Sequence, residues 1–233
     1  MAQDTTSSRD QILNRIRASL NSNVLSEMGD REQKVANRLK THQANLIPEL
    51  PEKTQESLFR NFKTFLESQG TIVLQSQDLN GVPDMVSDFL RQHNLAFKVR
   101  HGADALIEEI PWSLSGNGLQ RQVGIAEPND ETSLSVAFAG IAETGTLVML
   151  SGSDNPTTLN FLPENHIILL SQSRMVFSYE DVWQKMRETY GKHVMPRALS
   201  FISGPSRTAD IEQTLIQGAH GPRRLCVIVV QNT

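Results

Sequence analysis

One short loop, residues 140–146, places a carboxylate between two apolar runs. Its small residues allow a ligand to approach the backbone, and Glu143 offers a general base or a nucleophile. The neighbouring residues Thr144, Gly145 and Thr146 are therefore candidates for substrate binding. The same pattern is also typical of a tight turn, in which threonine hydroxyls bond the local backbone and Glu143 faces solvent.

A second loop leaves a strand-like run through a Gly-Pro turn and enters a stretch with helical periodicity, 208–217. The unpaired N–H groups of such a helix N-terminus bind carboxylates and phosphates. The candidate ligands in this loop are Gly204, Ser206, Arg207 and Thr208. Acidic residues at 210 and 212 fall in the first turn of the predicted helix and would satisfy its dipole themselves, so a structural role stays open.

His220 lies in a third loop, residues 218–222. Gly218 is typical of a helix C-cap, and Gly221-Pro222 of a turn that exposes the histidine. His220 could shuttle a proton near neutral pH or donate to a substrate, or it could simply be solvated or bonded to a nearby carbonyl. The other histidines, at 42, 93, 101, 166 and 193, show no paired ligand spacing, so we expect no metal site.

A fourth segment, residues 151–165, is rich in turn-forming residues and contains Asp154, Asn155 and Asn160. A substrate lid and an ordinary surface loop are equally compatible with this composition.

The loops lie between runs whose periodicity predicts alternating helices and strands. One helix has an apolar face of Leu58, Phe59, Phe62, Phe65 and Leu66 and ends at Gly70; others start at Pro83, after Ser178 as N-cap, and at Thr208. Strands are predicted over 71–75, 95–100, 123–127, 134–139, 146–150, 166–170, 174–178, 198–203 and 225–230. Their continuous apolar character indicates a sheet covered on both faces, and the lack of a long helix within 123–178 indicates a hairpin or a small second sheet.

The N-terminal part has a different character from the rest. Residues 9–20 have helical periodicity, whereas residues 21–50 contain few apolar residues and end between Pro48 and Pro51. We therefore predict an N-terminal helical arm over 1–50 and an α/β domain over 51–233. The arm would pack on its own domain or dock on another subunit, because an amphipathic helix does not bury its apolar face alone.

Composition restricts the class of protein. The chain has 233 residues, of which 38% are hydrophobic, so it can form a core without disulfides. A net charge of −4 without a basic stripe argues against nucleic-acid binding. With neither a long apolar run nor a signal-peptide pattern, we expect a cytoplasmic protein without a membrane span. The single cysteine, Cys226, excludes an internal disulfide, a four-cysteine zinc site and a self-contained iron–sulfur cluster.

Taken together, the loop sequences resemble the LUD-domain family. The matching stretches are AETGTLVML (142–150), LPENHIILL (162–170), SGPSRTADIE (203–212) and GAHGPRRLCVIVV (218–230). They occur in the order and spacing of the family and span roughly the C-terminal half of the chain, while the arm matches only loosely.

The resemblance implies an α/β fold with a mixed or parallel sheet flanked by helices, as in sugar-phosphate isomerases, CoA transferases and 5-formyltetrahydrofolate cyclo-ligases. It also implies a cytoplasmic subunit of a three-part system that oxidises L-lactate to pyruvate. The other two subunits would be a cysteine-rich protein and an iron–sulfur protein with its own LUD domain. Iron–sulfur clusters would then lie on the partners, with no cofactor on this chain and a small carboxylate such as lactate as its ligand.

Two function classes follow from the resemblance. In the first, the chain is an accessory subunit whose residues Glu143, Thr144, Ser206, Arg207 and His220 line a shared pocket at the strand ends. In the second, it is a stand-alone enzyme acting on a small carboxylate, similar to a CoA transferase or a cyclo-ligase, with Glu143 as nucleophile or base. A glycine-rich oxyanion loop beside Glu143 is not recognisable, which favours the accessory role.

Overall fold

A computed structural model describes residues 8–21, 28–47, 54–115, 118–192, 194–208 and 216–233. The chain divides into two compact units, Met1–Ile47 and Pro48–Thr233. Among the described helices, none combines the length and the apolar character that a membrane span requires.

The first unit contains two helices, α1 (Ser8–Asn21) and α2 (Met28–Thr41). The helix predicted over 9–20 is thereby confirmed. Ile12, Ile16 and Leu20 share one face of α1 and are about half exposed. A Lys34–Asp30 pair at 2.7 Å supports α2 across one turn. These helices therefore rely mainly on local interactions rather than on a buried face.

The second unit alternates helices and strands. Its helices are α3 (Gln55–Ser68), α4 (Val82–Gln92), α5 (Ala105–Glu109), α6 (Thr158–Phe161) and α7 (Tyr179–Tyr190), with 3₁₀ turns at Leu79–Gly81, Trp112–Ser115 and Gln172–Arg174. Its strands are β1 (Ile72–Ser76), β2 (Lys98–His101), β3 (Gln120–Val123), β4 (Thr132–Val136), β5 (Ala139–Ile141), β6 (Thr146–Leu150), β7 (Asn165–Ser171), β8 (Met175–Val176), β9 (Leu199–Ile202), β10 (Arg207–Thr208), β11 (Ile216–Gln217) and β12 (Arg224–Val230).

The strands form one large sheet and two smaller ones. The large sheet has six parallel strands in the order β1-β12-β7-β4-β2-β3. A four-stranded sheet, β8-β5-β6-β9, combines the antiparallel pairs β5–β6 and β6–β9 with the parallel pair β5–β8. The predicted mixed or parallel sheet flanked by helices is confirmed, as is a small second sheet, which combines three strands of 123–178 with β9 at its edge.

The central strands bury both faces, as their apolar runs predicted. On β7, Ile167 and Leu169 pack with α4 and α5, whereas Ile168 and Leu170 pack with α3 and the four-stranded sheet. This two-residue alternation is the ordinary consequence of the pleat. Beyond the four-stranded sheet, α7 adds a further layer through Val182 and Met186. The order of layers is therefore α4 and α5, the large sheet, α3 with the small sheet, and α7.

The structure corrects several predicted boundaries. The strand predicted over 123–127 overlaps the observed strand β3 only at Val123. All side chains of β3 are exposed. The run 134–139 divides between β4 and β5, which belong to different sheets. The helix predicted from Thr208 to Gly218 is wrong at both ends, because Arg207–Thr208 pairs with Ile216–Gln217 as antiparallel strands. Its interior, 209–215, lies outside the described residues.

Gly145 shows how closely the small sheet approaches α3. Its φ of +61° is left-handed, and a Cβ there would lie 2.6 Å from the Cβ of Phe65 and 2.9 Å from the backbone nitrogen of Leu66. Phe65 was predicted to point inward, but it is 47% exposed. It borders the hairpin turn instead of entering the core.

We expect Gly145→Ala to lower the free energy of unfolding by clearly more than Gly118→Ala. Both glycines have positive φ, and at Gly118, with a φ of +70°, an added Cβ would have no described atom within 4 Å. The Gly118 variant should therefore lose only the cost of left-handed backbone, about 1–2 kcal/mol. The Gly145 variant adds a clash with α3. Urea unfolding of the two variants measures the difference, and equal losses would contradict the close packing.

Candidate functional site

An open cleft of about 240 Å³ lies at the amino ends of the central strands β7 and β12, beside the end of β9. We call it the amino-edge cleft. It is lined by Asn160, Phe161, His166, Phe201, Ile202, Ser203, Gly204, Ser206, Arg207, His220, Gly221, Pro222 and Leu225. The second and third loops of the sequence analysis therefore meet at one cavity.

Ser206 holds these two loops together. Its backbone N–H donates to the carbonyl of Pro222 at 2.8 Å, and its own carbonyl accepts from the N–H of Gly218 at 3.0 Å. Its hydroxyl accepts from the N–H of His220 at 3.2 Å. The mutual position of Ser206 and His220 is thus fixed by backbone contacts, although the His220 side chain itself is exposed.

Arg207 brings a positive charge to the rim of the cleft. Its guanidinium lies against Gly70, where an added Cβ would be only 2.5 Å from Nη2. The side chain is exposed and forms no ion pair with any residue in the described ranges. An exposed guanidinium without an internal carboxylate is available to bind a carboxylate or phosphate in a bidentate manner.

The imidazole of His166 lies at the inner end of the cleft and is fully buried. Its Nε2 is 3.0 Å from the hydroxyl of Ser135, which in turn donates to Oδ1 of Asn160 at 3.4 Å. Asn160 Oδ1 can only accept, so we assign the single Ser135 proton to it, and in this assignment the Ser135 oxygen accepts from Nε2–H. The lone pair of His166 therefore lies on Nδ1, which has no hydrogen-bond partner in the described structure.

Burial determines the charge state of this imidazole. Desolvation lowers the pKa of His166 from 6.5 to about 3. The ring is therefore neutral near pH 7 and is an acceptor at Nδ1, not a cation. A buried acceptor without a partner costs free energy, which a hydroxyl or other donor of a ligand in the cleft would offset.

The first loop lies elsewhere. Glu143 and Thr144 occupy the hairpin turn between β5 and β6, and they do not line the amino-edge cleft. The Thr144 and Thr146 hydroxyls are 2.7 Å apart, and Thr146 Oγ1 is also 2.7 Å from Oγ of Ser203, a residue of the cleft wall. The threonine hydroxyls thus bond other hydroxyls, and the bond between Thr146 and Ser203 stabilises the wall of the cleft.

The structure therefore brings together only part of the predicted site. The residues that share the cleft are Gly204, Ser206, Arg207 and His220. The residues that lie outside its lining are Glu143, Thr144, Gly145, Thr146 and Thr208. Glu143 and His220, each predicted as a candidate catalytic residue, do not both line the amino-edge cleft.

Sequence reasoning missed His166. His166 has no second histidine at the spacing of paired metal ligands, so the pattern of histidines gives it no role. The signal that could have found it is its position at the start of the run HIILL, a strand predicted to be covered on both faces. A titratable side chain there is desolvated and needs hydrogen-bond partners. In the described part of the chain, no group of three or more His, Cys, Asp or Glu is arranged to hold a metal ion.

Comparison with known proteins gives related sequences for the C-terminal half. A family model described as the LUD domain matches residues 126–230. Lactate utilization protein C of Halalkalibacterium halodurans is 34% identical over 111 residues, which cover 46% of this chain and 48% of that protein. Lactate utilization protein C of Geobacillus sp. (strain WCH70) is 36% identical over 104 residues, 43% of each chain. The matched part thus spans slightly less than half the length of these relatives.

Two further comparisons are informative. An uncharacterized protein of Neisseria meningitidis serogroup B is 39% identical over 102 residues, 44% of this chain and 43% of that protein. The crystal structure of a DUF162 family protein from Deinococcus radiodurans has a TM-score of 0.54 at 21% identity and covers 77% of this chain and 99% of that one. The two chains therefore share a fold.

We expect His166→Gln to reduce the acid sensitivity of the fold. In the wild type the pKa of His166 is about 3 when folded and 6.5 when unfolded. The unfolded state therefore binds more protons between these values, so the free energy of unfolding decreases as pH falls from 6.5 towards 3, by up to about 1.4 kcal/mol per pH unit. Glutamine keeps a donor for Ser135 but does not titrate.

Urea unfolding at pH 7 and pH 5 measures this effect. The variant should lose less stability than the wild type on going to pH 5. His220→Gln is the matched control, because it removes an exposed histidine and should keep the wild-type dependence. A His166→Gln protein with the same pH dependence as the wild type would contradict the buried neutral imidazole.

Proposed function

We propose that this chain acts in the utilization of L-lactate as a subunit that binds a small 2-hydroxy carboxylate, because its residues 126–230 match a family model for the LUD domain. The proposed binding site is the amino-edge cleft. The relatives named lactate utilization protein C support the metabolic role, and the chemistry of the cleft supports the class of ligand.

The proposal rests on one observation: a cationic hydrogen-bond donor and a buried hydrogen-bond acceptor line the same cavity. Among the described residues, Arg207 at the rim forms no ion pair, and the buried Nδ1 acceptor of His166 has no hydrogen-bond partner. A 2-hydroxy carboxylate has a carboxylate for the first group and a hydroxyl donor for the second. The hydroxyl of Ser206, at the junction of the two loops, adds a further donor.

Oxidation of lactate to pyruvate releases two electrons, which need an acceptor. This chain has one cysteine, Cys226, whose burial raises the pKa of the thiol to about 12. A single protonated, buried thiol does not supply the ligand set of an iron–sulfur cluster. The resemblance to the LUD-domain family implies two partner subunits in the cytoplasm, one cysteine-rich and one an iron–sulfur protein with its own LUD domain, and in this proposal they carry the clusters.

In this proposal the chain contributes binding and orientation. The carboxylate of the ligand lies at Arg207, which fixes the direction of the molecule. The neutral imidazole of His166 accepts from the ligand hydroxyl and orients it, but a pKa of about 3 makes it a weak base near pH 7. Removal of the hydroxyl proton is accordingly assigned to a group on a partner.

The role can be tested with a cell extract that contains the two partner subunits but lacks this chain. Lactate-dependent reduction of an artificial electron acceptor should depend on adding the purified protein, with pyruvate formed in parallel. Arg207→Ala should raise the lactate concentration at half-maximal rate about tenfold or more, because a hydrogen bond to a charged group contributes about 1.5–3 kcal/mol.

Arg223→Ala is the control for this experiment, since Arg223 is exposed and does not line the cleft. Full activity of the extract before the protein is added would refute the role in lactate oxidation. Restoration by Arg207→Ala with wild-type concentration dependence would refute the cleft as the binding site and leave the metabolic role intact.

A further inference from the structure

A second cleft lies at the opposite edge of the large sheet and is absent from the proposed function. It is an open cavity of about 350 Å³ between the end of β4, the segment 150–155 and α7. We call it the carboxyl-edge cleft, because Val136 ends β4 and Asp104 follows the end of β2. In open parallel sheets, ligands bind outside the carboxyl ends of the strands.

Two cations, Arg174 and Lys185, face this cleft. Arg174 and Lys185 both line it, both are partly buried, and neither forms an ion pair with any residue of the described ranges. Arg174 Nη1 donates to the carbonyl of Ala137 at 3.2 Å, and Lys185 Nζ lies 5.7 Å from the centre of the Phe138 ring. Both side chains are thus held in place, with donors left for a ligand.

The carboxylates beside the cleft form no ion pair with either cation among the described residues. Burial and, next, the charge of Arg174 lower the pKa of Lys185, while Glu188 acts in the opposite direction with a smaller effect. Asp104 also borders the cleft, but its Oδ1 accepts from the N–H of Leu106 at 2.9 Å and caps α5. Asp154 lies exposed at the rim.

Asn155 adds a hydrogen-bond acceptor that lacks a partner. Its Nδ2 donates to the carbonyl of Leu150 at 2.9 Å, which fixes the orientation of the amide. Its Oδ1 is buried and unpartnered in the described structure, and the residue is only 6% exposed. The segment is also held against the end of β2, because a Cβ on Gly102 would lie 1.7 Å from the carbonyl oxygen of Asp154.

From this arrangement we propose that the carboxyl-edge cleft binds a small hydroxylated organic anion. The carboxylate or phosphate of the ligand pairs with Arg174 and Lys185, and a hydroxyl donates to Oδ1 of Asn155. A carboxylate and a phosphate can both pair with these two cations, and the experiment below distinguishes them. The proposal is independent of lactate oxidation, since none of these residues lines the amino-edge cleft.

The experiment measures binding by isothermal titration calorimetry with the full chain. The carboxylate probe is 3-hydroxypropionate, which lacks the 2-hydroxyl of the ligand proposed for the amino-edge cleft, and the phosphate probe is glycerol 3-phosphate; propionate and propyl phosphate are their analogues without hydroxyls. At least one hydroxylated probe should bind, about fivefold or more tightly than its analogue, because the analogue leaves Asn155 unpaired. The stronger of the two hydroxylated probes identifies the anionic group.

Lys185→Met should weaken binding of that probe about tenfold or more. Lys192→Met removes an exposed lysine next to α7, is the charge-matched control, and should bind that probe within about twofold of the wild type. Arg207→Ala reports on binding of the probe in the other cleft. Circular dichroism confirms that each variant is folded.

The proposal is overturned if neither hydroxylated probe binds at millimolar concentration, or if each binds no more tightly than its analogue. Binding that is lost in Arg207→Ala and retained in Lys185→Met would also overturn it, because the ligand would then occupy the amino-edge cleft. These outcomes concern binding alone and leave the proposed part in lactate oxidation untouched.

Discussion

The double burial of β7 and β12 is the constraint on which the rest of the structure depends. Each of these strands has a parallel neighbour on both sides and a packed layer on both faces, so its backbone and side chains are withdrawn from water. A polar side chain within such a strand must find partners inside the protein. His166 is one titratable side chain placed there, and among the described residues only its Nε2 has a partner, the hydroxyl of Ser135.

The four-stranded sheet determines where the clefts lie. By packing against one face of the large sheet, it places the end of β9 above the amino end of β7 and thus forms one wall of the amino-edge cleft. Its contact with α7 places Phe138 and Lys185 near the end of β4 at the other edge. The close approach of Gly145 to α3 holds this sheet near the core.

Much of the fold could be predicted from the sequence, because its strongest patterns come from burial. The apolar runs became β6, β7, β9 and β12, and Ser178 caps α7 with a full capping box. The pattern failed where pairing decides the structure: helical periodicity at 208–217 does not reveal that Thr208 pairs with Ile216. Local sequence also does not show that a chain passes from one sheet to another at Ala137.

Of the residues that line the amino-edge cleft, the sequence pointed only to those on two neighbouring loops. Ser206, Arg207 and His220 meet because a strand end and a following strand start share one edge. His166 lies at the start of β7, and Arg174 follows the end of the same strand. At about 3.3 Å per residue, this strand separates the two edges of the sheet by more than 15 Å. Between them runs the segment after β6, whose Asn155 borders one cleft and whose Asn160 borders the other. The packing of this single turn-rich segment therefore positions an amide in each cleft, which explains why its composition alone could not assign it to either.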